Sequence, residues 1–196
     1  EVNIFHRRTL IHYPSRFLAI IDEIESPDKH QYVQWNHVSP DLQVREYTPH
    51  KFGIHDGEEN VVTRVLSAGD SETEISPILI QGQTQPHLQG WYSREGRELV
   101  ENPVIGFSTF GKNSRFVTII DTNVGRTGEP YFRTGSDGGY KRFALTQDGS
   151  KADFKFRINK DGKTTIEAVI DGEEFTVSID NNRASSISFN SLIYTG

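Results

Sequence analysis

Between positions 88 and 96 the chain reads LQGWYSREG, so that Trp91, Tyr92 and Arg94 follow closely on one another after the polar stretch QGQTQPH. A flat indole beside a guanidinium is what a protein offers to a sugar ring bearing carboxylate or sulfate: the ring stacks and the anion is held by the planar fork. The same grouping also closes β-sheet corners, and for Trp91 packing is the stronger claim. Arg94 and Arg97 are then the side chains placed to face an anionic chain, with Arg7, Arg8 and Lys29 as further cations. A second stretch, HQYVQWNHVSP, sets Val33, Trp35 and His37 on one face of a strand and Tyr32, Gln34 and Asn36 on the other. One face belongs to core and the other to solvent. Asn36 and His37 thus join Trp91, Tyr92, Arg94 and Arg97 as the candidate substrate-binding set.

The seven histidines give weaker metal signals. His6 and His12 fall on one side of a regular strand, and His50, His55 and Asp56 have zinc-type side chains within one short stretch. Neither group has the tight spacing of an H-E-x-x-H pair, and for each histidine taken alone a structural or surface role outweighs ligation. NKDGKTTIE has the order of half a calcium loop, but Arg157 and Ala168 stand where its first and last ligands belong. TGSDGGYK lacks the Ser or Thr that follows a phosphate-loop lysine, because Lys141 precedes Arg142 and Phe143. The expectation is no metal, no cofactor and no catalytic residue in this chain.

The elements that must hold these residues are strands. In FKFRI, Phe154, Phe156 and Ile158 alternate with Lys155 and Arg157, and Phe175, Val177 and Ile179 alternate likewise. NKDGK and IDGEE lie between such runs, and Asp-Gly pairs there signal tight hairpins. Residues 154–179 therefore read as a three-stranded meander. TLIHY, RFLAIIDEI, HQYVQWNHV, VVTRVLSA, ISPILIQ and RFVTIID are further β-rich runs broken by Pro, Gly, Asp and Ser, and none carries a helical stripe. The fold expected is all-β: an antiparallel β-sandwich of many short strands, one domain over 1–196, with a C-terminal meander and a long loop over NVGRTGEPYFRTGSDGGYK.

Composition excludes some functions. A net charge of −6 argues against nucleic acid as a partner, since phosphate contacts need clustered Lys and Arg. The absence of cysteine removes disulfides, thiol nucleophiles and cysteine-ligated zinc. No apolar run approaches the ~20 residues of a helical membrane span. The chain opens on Glu1 and contains no methionine, and the expectation is that a segment stood upstream.

FHRRTLIHYPSRFLAIIDEIESPDKHQYVQWNHVSPD resembles the β-sandwich region of the heparinase II/III-type polysaccharide lyases. In that family a strand start like His6-Arg7-Arg8 is followed by an aromatic-aliphatic run ending in Asp, here RFLAIID to Asp22. A short loop and a His-x-x-Pro element follow, here His37 to Pro40. GWYSREG with ENPVIGFSTFG is similar to the family's Gly-Trp-x-Ser element and its next strand, and RFVTIID to the strand after that. The order and spacing of these motifs, over about the first 120 residues, carry the resemblance.

The resemblance implies an enzyme that cleaves uronic-acid-containing polysaccharides, glycosaminoglycans among them, by β-elimination in a secreted or periplasmic setting. That chemistry neutralises the uronate, removes the C5 proton and protonates the leaving oxygen. In the family these groups sit on an N-terminal helical toroid and in an early β segment, and no position here matches them. The chain is therefore expected to be the noncatalytic C-terminal β-sandwich, partnered by the toroid and by acidic polysaccharide. Two alternatives stand beside it: a carbohydrate-binding module for acidic glycans, and a structural or adhesion domain without ligand.

Overall fold

The computed structural model describes residues 3–14, 16–58, 60–69, 74–96, 98–122, 131–137, 140–147, 150–158, 164–170, 172–180, 183–189 and 192–195. The described residues are all-β and antiparallel, with no helix among them, and hence none long and apolar enough to cross a membrane. The sequence offered one domain and no linker, yet the chain divides into two compact units, Glu1–Gly125 and Arg126–Gly196.

The first unit holds β1 (Phe5–Tyr13), β2 (Phe17–His37), β3 (Gln43–Thr48), β4 (Lys51–Asp56), β5 (Asn60–Ala68), β6 (Ser76–Ile80), β7 (Trp91–Arg94), β8 (Glu98–Glu101) and β9 (Val104–Asp121). Its main sheet runs β1-β2-β9-β5-β4-β3, with β6 added to β9 and β7-β8 forming a separate ribbon. RFLAIIDEI and HQYVQWNHV, which read as two strands, are the two ends of β2. ESPDK between them is not a loop but an irregularity within the strand, where pairing with β9 jumps from Glu25–Asn113 to His30–Gly111. Pro27 lies inside this jump and has no amide proton to give, which is where a strand tolerates proline.

That irregularity folds the sheet over. Twelve residues of straight strand span roughly 40 Å, yet the Gln34 amide donates to the Asp22 carboxylate at 2.6 Å from within the same strand. The β2–β9 pair must double back, so that its two ends lie in facing layers. The core between them confirms this, combining Tyr32, Ile105 and Phe107 from one end with Phe52, Ile54, Val65 and Phe116 from the other. Phe52 and Phe107 meet edge to face, with centroids 5.8 Å apart.

The second unit is one seven-stranded meander in sequence order: β10 (Tyr131–Asp137), β11 (Tyr140–Gln147), β12 (Ser150–Ile158), β13 (Thr164–Ile170), β14 (Glu173–Asp180), β15 (Arg183–Phe189) and β16 (Leu192–Thr195). The expected alternation holds in its registers, for Phe156 stands beside Ile166 and Ile166 beside Val177, while Phe154, Ala168 and Phe175 form the next row. Ile166, Ala168 and Ile170 are buried. The loop expected over 123–141 is corrected from Tyr131 onward, since β10 and β11 pair from Tyr131–Thr146 to Asp137–Tyr140. The sequence pair Gly138-Gly139 is a short-range turn signal, which the glycine content of the stretch disguised as loop. Residues 123–130 and the calcium-like turn at 159–163 lie outside the described residues.

Replacing Phe107, which is fully buried and locked against Phe52, by Ala should cost about 3–5 kcal/mol, read as a lowered denaturant midpoint at unchanged m-value.

Candidate functional site

The β1–β2 register places Arg7 opposite Glu23 and Arg8 opposite Asp22. Successive residues point to opposite faces, so each carboxylate meets an arginine on its own side of the sheet. On one face Arg7 and Arg115 both contact the buried Glu23. The other face carries the more elaborate arrangement.

There Asp22 is 2% exposed and accepts from four donors. Oδ1 takes His6 Nε2 at 2.9 Å and Arg8 Nε at 2.6 Å, and Oδ2 takes Arg8 Nη2 at 2.8 Å and Gln34 Nε2 at 2.6 Å. A carboxylate can only accept, so His6 carries its proton on Nε2. The relay continues inward, because Gln34 Oε1 accepts from Thr118 Oγ1 at 2.5 Å and Thr118 lies 2.8 Å from Ser67 Oγ. Thr118 has one proton and gives it to Gln34, so Ser67 is the donor in the last link. Burial pushes the Asp22 carboxyl up, but the hydrogen bonds from Arg8, His6 and Gln34 and the Arg8 charge outweigh it and hold Asp22 below the usual carboxylate range.

At the open side of this network Arg8 is half exposed. Asp22 occupies the Nε/Nη2 edge of the guanidinium. The Nη1/Nη2 edge points away from it and can fork a second anion. His6, equally exposed, shares this face of β1 with Arg8 and with the exposed His12, as the even spacing implied.

The predicted binding residues do not converge. Trp91 is half-buried and its Nε1 donates to the Gln83 carbonyl at 2.9 Å, bracing the loop that Gln83 and Gln89 close. Tyr92, the next residue on β7, turns to the opposite face and is exposed, so the two aromatics form no common platform. Arg94 shares the Tyr92 face and is bound to Asp41 at 2.7 Å. Arg97 lies outside the described residues. Asn36 is half-buried, reaching the Ile105 carbonyl at 3.5 Å, and His37 is exposed on the other face of the strand. The amide face of that strand is the inner one, with Tyr32 and Gln34 buried, and Trp35 is on the outside.

A second polar pair lies toward the other edge of the sheet. Tyr47 falls at an irregularity between Glu46 and Thr48, and its ring lies across Gly53, where a Cβ would collide with the hydroxyl. That hydroxyl meets Nε2 of the buried His55 at 2.7 Å. Burial, then the charges of Arg45 and Arg64, push the His55 imidazole below its ordinary value, and its Nδ1 has no hydrogen-bond partner among the described residues. His50 is exposed in the preceding turn. Among the described residues no three His, Asp or Glu side chains are grouped to hold a metal ion. No protein-family model matches the chain, and no curated protein matches it.

Two losses of stability with acid follow. Both groups have folded pKa values below their unfolded ones, so each contribution is complete above the unfolded value and disappears as pH falls through the folded one. His55 acts first, below roughly 6.5, and Asp22 below roughly 3.9. Asp22→Asn should cost about 1–3 kcal/mol at neutral pH and flatten the lower limb, while His55→Gln should flatten the upper limb. Urea midpoints measured from pH 3 to 8 would show both.

Proposed function

We propose that the first unit is the β-sandwich portion of a heparinase II/III-like polysaccharide lyase, noncatalytic by itself, and that it holds acidic polysaccharide at Arg8. One observation carries the reading. The motifs on which the resemblance rests, FHRRT, AIID and the QYVQWNH strand, supply His6, Arg8, Asp22 and Gln34, and these side chains meet in one hydrogen-bonded cluster with a guanidinium edge turned outward. Geometry supports it as well, since Asp22 holds one edge of Arg8 and thereby fixes the direction of the other, which is how a fixed fork selects a planar anion. The net charge of −6 confines such attraction to a local patch.

In β-elimination this patch would grip uronate or sulfate groups of the chain, and a helical toroid would supply base and acid. The β1 clamp lies on one edge of the main sheet and the Tyr47–His55 pair toward the other. The resemblance places such a protein in a secreted or periplasmic setting. The reading in which Trp91, Tyr92 and Arg94 form a glycan platform loses support from their placement on opposite faces and from the Arg94–Asp41 pair.

The protein should be retained on immobilised heparin, chondroitin sulfate or alginate, and Arg8→Ala should weaken retention by roughly 10- to 100-fold, with Arg8→Lys restoring only part of it. The full-length gene product should release unsaturated uronate from one of these polymers and this chain alone should not. Activity in this chain alone would move the chemistry to Tyr47 and His55; inactivity of the full-length product on every uronate polymer would remove the lyase assignment.

A further inference from the structure

The outer face of the layer formed by β6, the first half of β9 and the second half of β2 is independent of the Arg8 cluster. Register aligns Trp35 with Gly106 and Ile78, then Val33 with Ser108 and Ser76, then Gln31 with Phe110. Their neighbours Gln34, Ile105 and Phe107 point to the core, so this face points outward.

Trp35 lies against the backbone of Gly106: a Cβ there would come within 2.5 Å of the indole, so only glycine lets the ring settle on the strand. The indole is thereby held against the sheet and remains 39% exposed. Phe110 is 68% exposed on the same face. Beside it opens a cleft of about 640 Å³ lined by Gln31, Glu74, Ser76, Ser108, Thr109 and Phe110. Gln31 Nε2 donates to Ser108 Oγ at 3.1 Å, leaving the Ser108 proton and the Gln31 carbonyl to face a ligand.

We propose that this face binds a neutral, unsulfated polysaccharide. A pyranose ring lays its CH face on Trp35, and the following units run along the cleft toward Phe110. Gln31, Ser76 and Ser108 exchange hydrogen bonds with ring hydroxyls. Trp35 and Gln31 stand four residues apart on β2, roughly 13 Å, a span that takes more than one sugar unit. Charge decides the class: among the described lining residues the sole ionisable group is Glu74, which accepts from hydroxyls and repels carboxylate or sulfate.

Affinity electrophoresis of the protein through gels containing β-glucan, xylan, galactomannan or, for contrast, alginate tests this. Retardation is expected with at least one neutral polymer and should persist at about 0.5 M NaCl, where exposed ionic contacts are screened. Trp35→Ala should weaken it by roughly tenfold or more, and Phe110→Ala and Gln31→Ala by less. The exposure of Phe110 and Gln31 makes those two variants independent of folding, which the urea unfolding transition checks for Trp35→Ala. Free heparin added to the gel should leave neutral-polymer retardation unchanged, which separates this site from the acidic-chain reading. No retardation by any neutral polymer, retardation unaltered in all three variants, or self-association that Trp35→Ala abolishes without a glycan effect would overturn it.

Discussion

The register between β1 and β2 is the constraint on which the first unit turns. Two consecutive carboxylates, Asp22 and Glu23, are buried in the middle of a sheet, a placement that is costly unless each is paired and hydrogen-bonded. Arg7 and Arg8 satisfy that requirement only in the pairing observed. A slip by one residue would turn every β1 side chain to the wrong face and leave one of the two carboxylates without an arginine opposite it. Specificity of pairing thus comes from electrostatics at a point where Phe5, Leu10 and other apolar side chains of an exposed edge strand would not enforce it. Removing either partner would be far worse than never having had the pair.

The same buried carboxylate connects the two layers. Gln34 reaches Asp22 from the far end of its own strand, and Thr118 and Ser67 extend the chain of hydrogen bonds across β9 and β5. Such a network is fully directional, so it fixes how the folded-over halves seat on each other, whereas Phe52, Phe107 and Phe116 supply the bulk of the burial without direction. Polar chemistry and fold specification are therefore carried by one set of residues, and the solvent-facing edge of Arg8 inherits its rigidity from the core.

Strand identity was legible in the sequence because alternation is a local property. The rows through Phe154, Phe156, Phe175 and Val177 appear as expected, and the runs around residues 9–13, 17–24, 31–37, 61–68, 76–80 and 115–121 are all extended. What escaped was whatever depends on partners distant in the chain. Two runs flanking Pro27 read as separate strands because a prolyl irregularity and a loop look alike until β9 is seen to pair with both. Arg8 and Asp22 were both visible within the motifs of the first stretch, but nothing local says that they touch. The Tyr47–His55 contact depends on an irregularity in β3 that no periodicity encodes. Trp91 drew attention by composition and braces a loop, whereas Trp35, read only as part of a strand face, is the exposed indole.

The pairing of β2 with β9 also orders events during synthesis. Phe17 pairs with Asp121, and Arg64 of β5 shares that same partner residue. Until the ribosome has released β9, the nascent chain has β1 with the first half of β2, and β3, β4 and β5 as a local ribbon, but no central strand to join them. One long side of β2 stays open while residues 38–121 are made, a window in which another chain's strand can take the vacant place. The meander, by contrast, adds each strand to the one just made and closes as it emerges. Recombinant yield of this protein should thus be governed by crowding of nascent first units, and slower elongation or lower temperature should act there before it acts on the meander.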